Sequence, residues 1–201
     1  MACENYETAI VWLKKFIHDA ETRDEPETNA AALATVDTPT HRPSVRTVYI
    51  HVDNFDPIFF VKTRSGKQEH LYWNGLASVC FFWRQLAEQI ILDGEVEQLT
   101  EERADAVWQQ QRSHASAIAN RASDQQTHAH EGVSEAFESR RRHAERAEAR
   151  NGDLPRPVNW IGYRLLPEGI AFWKTGWDNP HMRQLYQRAF DGQWHVYEQE
   201  P

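Results

Sequence analysis

The sequence predicts a mainly β domain with helices: an antiparallel sheet or barrel with the helices set to one side. Three observations lead there. Between residues 30 and 99, short strand-like runs follow one another directly, whereas a parallel doubly wound sheet would alternate them with helices. From Thr100 to about residue 150 the chain is rich in Ala, Gln and Glu, which are good helix formers. Strand character then returns and runs to the end. The 201 residues read as one domain with a helical insertion at about 100–150. A chain of this size buries roughly 70% of its unfolded surface and folds without a disulfide or metal.

Ile10, Leu13, Phe16 and Ile17 recur at helical spacing, with Lys14, Lys15 and Asp19 turned away, so residues 6–20 read as an amphipathic helix. Residues 21–29 are polar and hold Pro26, the composition of a loop. Ala30 to Val36 is a small-residue strand ended by Asp37-Thr38-Pro39. Residues 44–52 are β-branched and aromatic and read as one strand, with Arg46, Val48 and Ile50 on one face and Thr47, Tyr49 and His51 on the other. A turn at Asn54 to Pro57, a strand at Ile58 to Thr63 and a short helix at Lys67 to Trp73 follow. Ala77–Arg84 and Gln89–Leu99 read as an antiparallel pair.

Residues 101–129 and about 134–150 read as helices; Ser134 caps the second, Asn151-Gly152 ends it, and Glu138 with Arg142 forms an i,i+4 pair. Its Arg140-Arg141-Arg142 run is a solvated face, because five arginines meet four glutamates over residues 134–150. Beyond Leu154-Pro155-Arg156-Pro157 come four strands: Trp160–Leu166, Gly169–Trp173, Gln184–Phe190 and Gln193–Glu198.

Composition removes several kinds of chemistry. The formal charge is −8, from 30 acidic and 22 basic residues, which argues against a non-specific nucleic-acid binder. Cys3 and Cys80 make no disulfide framework and no CxxC pair, and Cys80 reads as a buried thiol. No stretch approaches the roughly 18 apolar residues of a membrane span, and no signal-peptide core is present, so the expected compartment is the cytoplasm. The nine glycines form neither a dinucleotide fingerprint nor a phosphate loop. His128 and His130 would diverge by about 200° on a helix, so no metal site is expected. Eight tryptophans stand out, a residue suited to interfaces and to planar ligands.

Four stretches, taken in order, carry a resemblance. They are Leu33–Asp37 with Pro43–Val48; Phe59–Lys67; Phe82-Trp83 with Glu88–Ile90 and Asp93–Val96; and Leu154–Arg164 with Ile170–Trp173 and His181–Arg183. Together they resemble the pyridoxamine 5′-phosphate oxidase family, whose members bind FMN in a split β-barrel homodimer. The resemblance implies that Arg46 and Lys67 grip the cofactor phosphate, with Thr47 and Val48 beside Arg46 in the cofactor set and Ser65 adding a donor. It implies that Gln89 and Gln125 hydrogen-bond the flavin, and that Trp173 and Arg183 reach it from the partner subunit. On the substrate side it points to His51, Trp108, Arg112, Ser116, Asn179 and His181, with His181 orienting the substrate over the ring as the catalytic residue. Taken singly, Arg46 would be a surface cation, Lys67 a solvated one, Gln125 filler and Trp173 core; their joint order makes them a site.

The implied activity is oxidation of an amine or alcohol carbon, with hydride passed to flavin and oxygen yielding peroxide. The alternatives are an oxidase of another aromatic substrate, as in phenazine pathways, or a flavin-binding protein without that activity. Departures fall mainly on the substrate side. Gly66 stands where the family carries an arginine, His51 where it carries a lysine, Trp108 for a tyrosine and Asn179 for an arginine. Losing the lysine and the arginine weakens a phosphorylated substrate by about 10²–10⁴-fold, at about 1.5–3 kcal/mol for each charged hydrogen bond.

Overall fold

The computed structural model describes residues 2–63, 65–110, 156, 158–176 and 179–199. Its elements in chain order are α1 (Ala2–Thr22), β1 (Ala30–Val36), β2 (Pro43–Tyr49), β3 (His51–Asp53), β4 (Asp56–Lys62), α2 (Gly66–Asn74), β5 (Leu76–Trp83), β6 (Glu88–Gln98), α3 (Glu101–Gln110), β7 (Trp160–Gly176), β8 (Asn179–Arg188) and β9 (Trp194–Gln199). The nine described strands join in the order β2-β1-β5-β6-β7-β4-β3, with β8 added to β7 and β9 to β8. Registers are antiparallel, as between β5 and β6, where Phe82 faces Gln89. The chain divides into two compact units: Met1–Phe59, Gly66–Glu97 and Tyr163–Pro201 form the first, and Phe60–Ser65 with Gln98–Gly162 the second.

In the first unit, strand alternation decides what is inside. Ala31, Leu33 and Thr35 of β1 are buried, as are Ile90 and Leu92 of β6. Burying each large aliphatic side chain contributes about 1.5–3 kcal/mol. Helix α1 lays Ile10, Leu13 and Ile17 inward, and Phe16 stacks on Trp83 with ring centroids 6.4 Å apart. The Trp83 indole N–H donates to Thr28 O at 2.9 Å, which satisfies a buried donor. Helix α2 stops at Gly75, whose φ of +69° suits a residue without Cβ and whose N–H returns to Leu71 O at 3.0 Å.

The second unit is built on aromatic packing. Trp108 is fully buried, edge-on to Phe60 at 5.6 Å and 5.9 Å from Trp160. The Thr100 hydroxyl accepts from Arg103 N–H at 3.3 Å, and Glu101 and Glu102 lie in the first turn of α3, so the helix starts with a cap and matching charge. The Arg156 side chain, 5% exposed, donates to Asp105 at 2.7 Å and also to Glu101 and the Trp160 carbonyl.

Three strand expectations change. The run 44–52 is two strands: the chain breaks at Ile50, whose N–H turns to Asn29 O at 2.9 Å. Trp160–Leu166 and Gly169–Trp173 are one strand, β7. Pro167 and Gly169 look like a break, but Gly94 lets that segment run on: a Cβ there would lie 2.1 Å from Leu166 O and 2.8 Å from Pro167 Cα. Strand β8 begins at Asn179, not at Gln184, because Gly176 pairs with Asn179 at the head of a hairpin. The expected helices beyond Gln110 lie outside the described residues. Cys80 is half-buried rather than buried, and burial followed by the Asp93 charge pushes its thiol pKa up.

Candidate functional site

Arg46 sits mid-strand in β2, on the face that it shares with buried Val48. The inward turn of that face half-buries a guanidinium. Its Nη1 donates to Thr35 Oγ1 at 2.6 Å and to Leu33 O at 3.3 Å, and its Nη2 donates to Ser44 Oγ at 2.8 Å. Burial lowers its pKa, yet a guanidinium keeps its charge in proteins. Lys67, in the first turn of α2, is also half-buried. Burial, and then the Arg46 charge, holds its pKa below the ordinary lysine value. Among the described residues neither cation meets a carboxylate. Two desolvated like charges are unfavourable by themselves. A phosphate ester placed between them reverses the sign, through charge-assisted hydrogen bonds to both.

The other expected cofactor residues fall as follows. Ser65 uses its hydroxyl on Lys62 O at 2.7 Å, shaping the turn that leads into α2. Thr47 is exposed and Val48 buried, opposite Ala32 and Ala31 across β1. Gln89 is half-buried, on the face of β6 opposite to Glu88, Ile90 and Leu92. Trp173 and Arg183 are direct cross-strand partners of β7 and β8, which sets an indole beside a guanidinium. Trp173 also walls a cleft of about 270 Å³ with Trp12, Phe16 and Phe172. In that cleft wall Glu88, 3% exposed, holds Lys174 Nζ at 2.5 Å.

On the substrate side, His51 opens β3 opposite Ile58 and is half-buried. Asn179 and His181 lie on β8, and only their backbone is described. Arg112, Ser116 and Gln125 lie outside the described residues. Trp108 packs between Phe60 and Trp160 with no exposed surface, because α3 turns it into an aromatic core.

Two residues of the cation site escaped sequence reasoning. Thr35 is 2% exposed on β1 and lies 2.9 Å from His70 Nδ1 as well as accepting from Arg46. A hydroxyl on the buried face of an apolar strand was the available signal for Thr35. For His70 it was the spacing of one helical turn from Lys67 on α2. Among the described residues no helix is long and apolar enough to cross a membrane, and no group of three or more potential ligands is placed to hold a metal.

The family model described as pyridoxamine 5′-phosphate oxidase matches residues 18–146, more than half of the chain. A pyridoxine/pyridoxamine 5′-phosphate oxidase of Gluconobacter oxydans is 35% identical over 187 residues, covering 90% of this chain and 88% of its own. One of Ralstonia nicotianae is 37% identical over 186 residues, covering 91% and 84%. Among solved structures, PhzG from Burkholderia lata in complex with tetrahydrophenazine-1-carboxylic acid matches with TM-score 0.75 and 30% identity, over 96% of this chain and 92% of its own. A pyridoxamine 5′-phosphate oxidase-related, FMN-binding protein of Nostoc punctiforme shares the fold at TM-score 0.63 and 22% identity, over 94% and 97%. With a mainly antiparallel split-barrel fold, a matching family model and relatives along nearly its whole length, the chain belongs to the pyridoxamine 5′-phosphate oxidase family.

Proposed function

We propose that this chain is an FMN-dependent oxidase acting on a carbon that bears an amine or alcohol, of the pyridoxamine 5′-phosphate type. One observation carries the reading. Arg46 and Lys67 are both half-buried, the Arg46 charge acts on Lys67, and neither meets a carboxylate among the described residues, the charge pattern of a phosphate seat. When bound, FMN supplies the hydride acceptor, and oxygen then regenerates it with release of hydrogen peroxide. The protein's own part is to bind and orient. Arg46 and Lys67 hold the phosphate, with Thr47, Val48 and Ser65 alongside. Gln89 and Gln125 hydrogen-bond the ring and its side chain. Trp173 and Arg183, neighbours across β7 and β8, close the site of the other subunit in a homodimer. His51, Arg112, Ser116, Asn179 and His181 form the substrate side, with His181 steering the reacting carbon to near-attack distance.

A second reading concerns the substrate only: an aromatic compound without a phosphate, as in phenazine chemistry. His51 and Asn179 in place of two family cations favour it, as does the likeness to PhzG with its bound tetrahydrophenazine carboxylate.

Anaerobic reduction of the FMN-loaded protein by a panel of vitamin B6 phosphates, aromatic amines, dihydrophenazines and NAD(P)H tests both. Bleaching by pyridoxine or pyridoxamine 5′-phosphate, with peroxide on admitting air, supports the first reading. Bleaching by the ring compounds alone supports the second. A colourless protein that ignores added FMN, or one bleached by NAD(P)H alone, overturns the oxidase.

A further inference from the structure

The cation site contains a polar chain that the family resemblance does not supply. It runs from His70 on α2 to Thr35 on β1 and on to Arg46 on β2. An arginine only donates, so Thr35 Oγ1 accepts from Arg46 Nη1 at 2.6 Å. The hydroxyl then has one hydrogen to place. Thr35 is 2% exposed, so bulk water does not take it, and the ring nitrogen Nδ1 of His70 lies 2.9 Å away. Donation from Thr35 to His70 Nδ1, with the neutral ring's hydrogen on Nε2, is the arrangement that places this hydrogen within the chain.

The same accounting fixes Arg46. A guanidinium has five N–H donors. Nη1 commits two of them, to Thr35 and Leu33, and Nη2 commits one, to Ser44. Among the described residues the Nε–H and one Nη2 hydrogen are left over, two donors that an oxyanion can take up. Lys67, one turn before His70 on α2, feels the Arg46 charge.

We propose that Thr35 and His70 are positioning residues which lock the Nη1 side of Arg46 and thereby keep its remaining Nε–H and Nη2 donors turned to the phosphate of the bound cofactor. The proposal rests on the FMN reading above. Neither side chain need touch the ligand. Their effect is specific to the phosphate, because Arg46 is the group that they hold.

Calorimetric titration with FMN and, in parallel, with riboflavin separates this role from a general structural one. Thr35→Val keeps shape and removes the acceptor. It is expected to weaken FMN about tenfold, on the scale of one hydrogen bond to a charged group, while leaving riboflavin unchanged. Thr35→Ser restores the hydroxyl and is expected to recover FMN binding to within about threefold. On the unaltered protein, ¹⁵N NMR of the neutral His70 ring is expected to find Nδ1 unprotonated. Equal weakening of FMN and riboflavin overturns the proposal, as does unchanged FMN affinity in Thr35→Val or a neutral ring protonated on Nδ1. In those cases FMN binding by the wild type still leaves the oxidase reading standing. A wild-type protein that binds neither ligand overturns both.

Discussion

Lys67 has burial and Arg46 acting together against its charge, and this gives FMN binding a direction in pH. A phosphate favours the charged ammonium. Binding is therefore independent of pH while free Lys67 is already protonated, and it weakens as pH climbs through the lowered pKa. We expect FMN affinity to begin falling below the usual lysine value of about 10.4, and Lys67→Gln to bind weakly at every pH with that slope removed; calorimetry across alkaline pH measures both. Gly66, just before Lys67, has nothing within 4 Å of where a Cβ would stand. Gly66→Arg therefore fits, and it is expected to tighten FMN about tenfold by adding a charged donor; unchanged affinity would show that the Arg46–Lys67 pair already saturates the phosphate. At this scale the sequence singles out Arg46 and Lys67 because a motif carries each of them. It was silent on Thr35 and His70, because their bond spans 35 positions of chain and nothing local marks either residue as a partner of Arg46.

Single elements were legible when their own pattern decided them. Strands β1 and β5 fall within about a residue of expectation because alternation and flanking turns agree. Strand β7 was misread as two because Pro167 and Gly169 carry a local turn signal, while its continuity depends on Gly94, far away in β6. Gly94→Ala should consequently cost about 3 kcal/mol, near the upper end of overpacking effects, since the clash is with backbone; chemical denaturation reads it. In α3, the resemblance points Trp108 to the substrate, and the fold packs its indole fully between Phe60 and Trp160. Trp108→Leu is expected to destabilise by about 3 kcal/mol, near the lower end of the range for truncating a buried aromatic, and to leave FMN affinity unchanged. A stable variant with altered substrate KM would return Trp108 to the pocket.

For the whole molecule, the acidic balance of −8 acquires a local exception in the Arg46–Lys67 pair. An anion seat built from few cations has affinity that depends on each of them, and ligand binding stabilises the fold by mass action. FMN at a hundred times its Kd should contribute about 2.7 kcal/mol, a rise of roughly 5–10 °C in Tm for a chain of this length; a thermal scan with riboflavin in place of FMN should show less. The fold class was readable because strand adjacency is a property of the whole chain. Its division into two compact units was not, since the second unit gathers Phe60–Ser65 with Gln98–Gly162, and that gathering is a tertiary event. The tryptophans that stood out in the composition end up unevenly placed: Trp83, Trp108, Trp160 and Trp194 are buried, while Trp12 and Trp73 are 43% and 70% exposed. Indoles in apolar surroundings emit to the blue of those in water, and oxidised flavin absorbs where indoles emit. The protein thus contains its own optical gauge: acrylamide can silence the exposed rings selectively, and the dimming of the buried ones during a flavin titration reports occupancy without any label.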